Sequence, residues 1–441
     1  MIQLIIKLSR YLFVFYIMYF LWQGFVYLLD ERGIKIYNRA ASSVKQRVCI
    51  VLFHVTGFLI LAYQPGRYTF NIHTLITGLG GLSFFIGSIL IIEICFHKTC
   101  PLIWNGMLFL LDIGFVMLRR LNPDMAQKQL IYACVGVLAA LLAPVAFTAV
   151  SRFKKLGYLY LVICLCLLIL PFIIGDRSNG SLNWISIKSI RFQPSEIAKF
   201  FFIFYLSSDL SEPRSAAKLI PSAAASCCFA LILALQRDLG GALIFFMTYL
   251  VIIYIATGKA YLFFCGLTAG AFASLLAYRI FAHVQTRILA WLNPWSDPYD
   301  KGLQILQSLF AIGTWGPFGS GLTRGAPGFV PVAVSDFIFS AICEEFGGLF
   351  GLGLIAVFVM IFYRGVNIAL RSETPYFSLL AAGFTSLFAF QTFLILGGVT
   401  KFIPLTGVTL PFVSAGGSSV IVSVIMISIL QKIAVSKHKE R

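Results

Sequence analysis

The chain has 441 residues, of which 59% are hydrophobic and only 12% charged, where an ordinary soluble domain is roughly a quarter charged. That composition excludes a soluble globular protein. The net charge of +17 is spread over loops with no compact basic domain, so it speaks for anionic lipid and against nucleic acid as a partner. Ten cysteines lie in or beside apolar runs without a paired CxxC and matching His, which argues against zinc and against a disulfide framework.

Apolar runs long enough to cross a bilayer recur from end to end. Three come early, at 10–29, 48–64 and 74–96. Seven follow at 101–118, 130–150, 158–175, 194–208, 219–235, 239–256 and 261–281, and three close the chain at 336–363, 376–397 and 412–433. The fold class is therefore an all-α polytopic membrane protein of about thirteen spans. A basic loop and further spans follow the first run, which reads as a retained helix and not a cleaved signal. Basic clusters at Arg32, Lys35, Arg39, Lys45 and Arg47, at Arg152, Lys154 and Lys155, and at Lys432, Lys437, Lys439 and Arg441 share one side on this count. The positive-inside rule then places the C-terminus in the cytoplasm and the N-terminus outside.

The texture changes near Cys100. Residues 1–100 form a first region whose single intramembrane acid is Glu93, near a helix end; residues 101–441 form a second, with recurrent acids, Gly pairs and two long outer connectors. One connector, 176–194, holds Arg177, Lys188 and Arg191. The other, about 282–335, contains NPWSDP and QILQSLFAIGTWGPFGSGL, an amphipathic helix followed by a Gly-rich turn.

Acids are costly at bilayer depth and mark function when retained there. In PVAVSDFIFSAICEEFGG, 331–348, Asp336 reads either as a helix cap or as a general base backed by an apolar wall. At 100° per residue Glu344 lies about 80° from Asp336 and could share its cavity, while Glu345 faces away and needs another partner. In FQPSEIAKFF, 192–201, Pro194 suits a first helical turn, and Glu196 and Lys199 either lock a helix in place or orient a substrate head group. There Lys188 and Arg191 would offer positive charge to a diphosphate. Asp238 in LQRDLGGAL, 235–243, serves an Asx turn or a site. TGVTLPFVSAGGSS, 406–419, including Gly416, Gly417 and Ser418, introduces a final helix either as small-residue packing or as a broken segment exposing backbone N–H groups. His283 reads as solvated.

In this order the constellations resemble the signature of the SEDS family (shape, elongation, division and sporulation), the RodA, FtsW and SpoVE proteins. The match is carried by NWISIKSIRFQPSEIAK at 183–199, RDLG at 237–240, NPWSDPYDKGLQILQSLFAIG at 293–313, SDFIFSAICEEFG at 335–347 and PLTGVTLPFVSAGGSS at 404–419, with a weaker DIGFVMLRRLNPDMAQKQLIYACVG at 112–136. It runs from about residue 101 to the C-terminus.

The resemblance implies a core of ten helices preceded by about three extra ones, and a peptidoglycan glycosyltransferase polymerising lipid II at the outer face of the bacterial cytoplasmic membrane. It implies Asp336 as catalytic base. It places the family's paired Glu and Lys on Glu196 and Lys199, its Asp-Leu-Gly acid on Asp238 and its Glu-Glu on Glu344 and Glu345. The candidate substrate residues are then Glu196, Lys199, Arg191, Lys188, Asp238, Glu344, Gln304 and Ser418, with Glu345, Pro194, Gly416 and Gly417 in structural roles. No cofactor is evident in the sequence; the resemblance admits a divalent cation, Mg or Mn. Expected partners are lipid II, the undecaprenyl diphosphate-linked glycan, a class B penicillin-binding transpeptidase and membrane lipids. The chain departs from the family pattern at Asn183 (often Arg), Arg237 (usually Pro), Val334 (commonly His) and Ala415 (frequently Tyr). A non-catalytic scaffold for a cell-wall synthase and a lipid-linked sugar flippase are the alternative readings.

Overall fold

The computed structural model describes residues 2–31, 39–64, 69–96, 100–147, 153–178, 181–187, 190–212 and 219–436. Arg32, Lys35, Arg152, Lys188, Lys437, Lys439 and Arg441, all named above, lie outside the described residues. Three helices come first: α1 (Ile2–Glu31), α2 (Arg39–Ala62) and α3 (Ile72–Cys95), the last two joined through the short hairpin β1 (Tyr63–Gln64) and β2 (Thr69–Phe70). Then come α4 (Pro101–Leu121), α5 (Pro123–Phe147) and α6 (Gly157–Ile174). A three-stranded antiparallel sheet, β3 (Asp176–Ser178), β4 (Ser181–Ile187) and β5 (Ile190–Phe192), occupies the connector between α6 and the next helix. The helices α7 (Pro194–Leu210), α8 (Ile220–Leu235), α9 (Leu239–Thr257) and α10 (Ala260–Ile280) follow. The second connector carries α11 (Ala282–Leu292) and α12 (Leu303–Gly313), and the chain ends with α13 (Ile338–Phe346), α14 (Gly348–Leu370), α15 (Pro375–Val399) and α16 (Gly417–Ser436).

Local sequence sets many of these boundaries. Proline stands in the first turn of α4, α7, α8 and α15, where its missing N–H costs no hydrogen bond. Side-chain oxygens of Asn71, Asp238 and Thr374 cap α3, α9 and α15. Eleven helices among the described residues are long and apolar enough to cross a membrane. With α7 (17 residues) and α8 (16 residues), the helices that coincide with expected spans number thirteen.

Two expected spans are shorter than the apolar pattern suggests. The run from residue 336 is broken in two: α13 stops at Gly347, whose φ of 95° ends it, and only α14 is long enough to span. A side chain on Gly347 would clash with the Pro317 carbonyl, so this break belongs to glycine. The last span begins at Gly417 and not at 412, because residues 412–416 are not helical.

α4 is the axis of the bundle. Its spanning window is 94% buried, with α2, α3, α5, α13, α14 and α16 around it. Three of its polar residues find partners on α2 and α3, which offsets the cost of burying them. Asn105 Nδ2 donates to Ser43 and to Gln46 Oε1. His54 Nδ1 meets Asp112 Oδ1 at 2.6 Å while its Nε2 donates to the Gly78 carbonyl at 2.9 Å. Arg119 donates to Thr74 Oγ1. The 1–100 region is thus built into the core through its polar contacts.

Candidate active site

Asp336 does not cap a helix. Helix α13 starts two residues later, at Ile338 behind Phe337, which makes no side-chain cap. Asp336 therefore lies in a turn, and the 100° wheel that paired it with Glu344 does not apply. The turn is pinned to the loop ahead of α16: Ser414 Oγ donates to the Ser335 carbonyl at 2.6 Å, and Ala415 N donates to the Val334 carbonyl. Gln129 of α5 holds that loop from behind, donating to Ser414 O and accepting from Gly416 N.

Facing Asp336 is Arg287 of α11. Its Nη1 donates to the carbonyls of Leu405 and Thr406, which fixes the guanidinium. Gly407, at φ 76°, is where the two meet: a Cβ there would lie 3.7 Å from both Arg287 Nη2 and Asp336 Oδ2. Asp336 is half-buried. Burial pushes its carboxyl above the usual range, while the Ser335 hydroxyl and the Arg287 charge pull it back. Burial in turn lowers Arg287, against the opposing fields of Asp336 and Asp238. His283, one turn before Arg287, is held lower by burial and by Arg287 and Arg237.

Asp238 is a second hub. Its Oδ1 caps α9 through Gly241 N at 2.8 Å, and its Oδ2 accepts from Asn183 Nδ2 at 3.0 Å and Gln193 Nε2 at 3.1 Å. Gln193 N donates to Ser418 Oγ, tying the start of α7 to that of α16. Both hubs therefore hang on residues 414–418, where the loop runs into α16. Three residues beside them adopt left-handed backbone without being glycine: Arg237 (φ 63°), Val332 (φ 57°) and Phe412 (φ 66°). Such conformations persist only where the surroundings enforce them.

The remaining candidates sort themselves by contact. Glu196 and Lys199 form a buried pair at 2.6 Å on α7, just past Pro194. Arg191 is exposed, with its guanidinium 5.8 Å from the Trp184 ring centre, and so is not gathered into the Asp336 cluster. Gln304 is half-buried on α12, a helix tied to α13 and to the end of α15 by the Ser308 hydroxyl. Gly417 packs against the Tyr132 ring. Glu344 does not line a shared cavity with Asp336: its Oε1 accepts from Ala326 N at 2.6 Å, so it faces the 319–326 loop. Glu345 pairs with Arg120 Nε at 3.1 Å, and Arg120 also donates to the Gly325 carbonyl. Burial raises both glutamates, Glu345 to about 7. The sequence reading missed Arg287, Gln193, Gln129 and Arg120; a cation on an amphipathic connector helix was the available signal for the first.

The model of the FtsW/RodA/SpoVE cell cycle proteins matches residues 95–439. The chain belongs to this family. It is 34% identical over 387 residues to the peptidoglycan glycosyltransferase RodA of Mycobacterium tuberculosis H37Rv, covering 81% of this chain and 82% of that one. It is also 34% identical over 365 residues to stage V sporulation protein E of Bacillus subtilis 168, covering 76% and 98%. Among solved structures, a chain from a peptidoglycan synthase complex that coordinates polymerization and crosslinking superposes with a TM-score of 0.65 at 26% identity, over 78% of this chain and 100% of that one. Within the FtsW/RodA/SpoVE pattern, the departure at Arg237 has a backbone basis. Its φ of 63° is closed to a proline, whose ring holds φ near −65°.

Proposed function

We propose that this protein is a peptidoglycan glycosyltransferase that polymerises lipid II at the outer face of the cytoplasmic membrane, with Asp336 as general base. Membership of the family supports the reaction, and the placement of Asp336 against Arg287 at Gly407 carries the assignment of roles. Chain growth joins a sugar hydroxyl oxygen of one lipid-linked disaccharide to the anomeric carbon of another, and the bond from that carbon to the lipid diphosphate breaks. The hydroxyl proton goes to Asp336, a step worth about 10²- to 10⁴-fold in rate. Charge growing on the departing diphosphate falls to Arg287, held in place by two backbone carbonyls. The cation that the family pattern places at residue 183 stands instead at Arg237, close enough to His283 to lower its basicity.

No group of three His, Cys, Asp or Glu among the described residues is arranged to hold a metal ion. A divalent cation taking part would be held by one or two carboxylates together with the substrate's phosphates, and no step is routed through one. The partner supported by the synthase-complex relative is a class B penicillin-binding transpeptidase. With thirteen crossings and basic loops inside, the N-terminus lies outside, the C-terminus in the cytoplasm and Asp336 outside.

The test is polymerisation of labelled lipid II by the purified protein with its transpeptidase. Wild type yields polymer, and Asp336→Ala and Asp336→Asn yield none above background. Undiminished polymer from Asp336→Ala removes the proposed base; lipid II crossing liposome bilayers without polymer selects the flippase.

A further inference from the structure

A cavity of about 380 Å³ opens where α2 begins, α3 ends and α4 begins, among Arg39, Arg47, Glu93 and Trp104. It sits at the far end of α4 from Arg120. Those 21 residues rise about 31 Å at 1.5 Å each, so the cavity and the Asp336 site belong to opposite leaflets.

Its polar lining is biased toward donors. Trp104 is only 2% exposed, yet its indole N–H has no acceptor among the described residues. The Arg47 Nε–H is likewise buried without a partner, although Nη1 of the same guanidinium pairs with Glu93 Oε2 at 2.9 Å. Arg39 pairs with Asp30 and keeps a side chain that is 47% exposed. Asn105, which also lines the cavity, spends its amide N–H groups on Ser43 and Gln46. Glu93 is the lone acid of the lining. Buried donors left unmatched are costly and rare in folded proteins, and here two of them belong to residues that line one cavity, beside the apolar Ile92 and Leu108.

We propose that this cavity holds the phosphoryl head group of an anionic membrane lipid in the leaflet opposite the active site. Trp104 Nε1 and Arg47 Nε donate to phosphate oxygens, Arg39 supplies charge at the mouth, and an acyl chain runs along Ile92 and Leu108. Neutral donors and a guanidinium beside an apolar wall fit a phosphodiester at the membrane interface better than a free ion.

The full-length protein in detergent would be titrated with phosphatidylglycerol, phosphatidylcholine and inorganic phosphate, reading bound lipid by native mass spectrometry and thermal stabilisation in parallel. Wild type is expected to retain one phosphatidylglycerol in preference to phosphatidylcholine. Trp104→Phe keeps the ring and removes the N–H, and Arg47→Lys keeps the charge and removes Nε–H; each should weaken retention about fivefold, the effect of one lost hydrogen bond. Glu93→Gln should tighten it by relieving the only negative charge in the lining, a gain that no loss of folding can mimic. Equal retention of the two lipids, or retention indifferent to all three substitutions, overturns the proposal. Inorganic phosphate that stabilises the protein as well as the lipid does overturns the lipid assignment.

Discussion

Arg287 is the residue on which two carboxylates converge, and its effect on Asp336 has a definite sign. Burial favours the protonated Asp336, whereas the guanidinium favours the ionised form. A general base works only when ionised, so polymerisation should fall off in acid at a pH above the usual carboxylate value of 3.8. Arg287→Gln removes the one cation opposing burial and should move that acid limb to higher pH, in addition to lowering the plateau. A pH–rate profile of polymer formation measures both effects. A lowered plateau with an unmoved limb would leave Arg287 its part at the departing diphosphate and remove its hold on the Asp336 carboxyl. Sequence alone gave no access to this pair, because Arg287 and Asp336 are separated by an ordered connector and meet across a glycine of a third segment, Gly407.

At the scale of elements, α13 and the loop before it form a unit that lies outside the spans. Ser320 N and Gly321 N donate to the carbonyls of Glu344 and Glu345, and Gly347 N donates to the Cys343 carbonyl. Arg120 then clamps Glu345 from α4. Because burial raises Glu345 from 4.5 to about 7, the folded state holds its proton more tightly than the unfolded chain does. The associated stability is full below pH 4.5 and is lost as pH rises through about 7. Glu345→Gln mimics the protonated form at every pH, so the melting temperature of wild type minus that of the variant should fall across this window. A difference that stays level from pH 4.5 to 8 would show that Glu345 carries no such burden. This unit explains what periodicity could and could not reveal. Apolar content made the spans legible, and Pro194 made the start of α7 legible. The break at Gly347 was hidden inside a continuous apolar run, although the Gly347-Gly348 pair marked it. Strands β3 to β5 were hidden in turn, since SLNWISI is too short a run to outweigh the helical pattern around it.

The whole molecule is organised by α4, which the first three helices wrap and which ends at Arg120, beside the unit that precedes the last spans. The pair most central to this arrangement is His54 with Asp112, both buried, the imidazole held between a carboxylate and the Gly78 carbonyl. Removing one partner leaves the other uncompensated in an apolar interior, whereas replacing both by apolar side chains of similar size removes the demand altogether. His54→Ala or Asp112→Ala alone is therefore expected to cost about 3–5 kcal/mol, read as a lower melting temperature in detergent. The double variant His54→Leu/Asp112→Leu should recover much of that loss and keep lipid II polymerisation near wild type. Strictly additive losses would mean that the two groups do not act as a pair. Recovered stability with abolished polymerisation would instead give the pair a part in the reaction, carried from the first three helices through α4 to the site that holds Asp336.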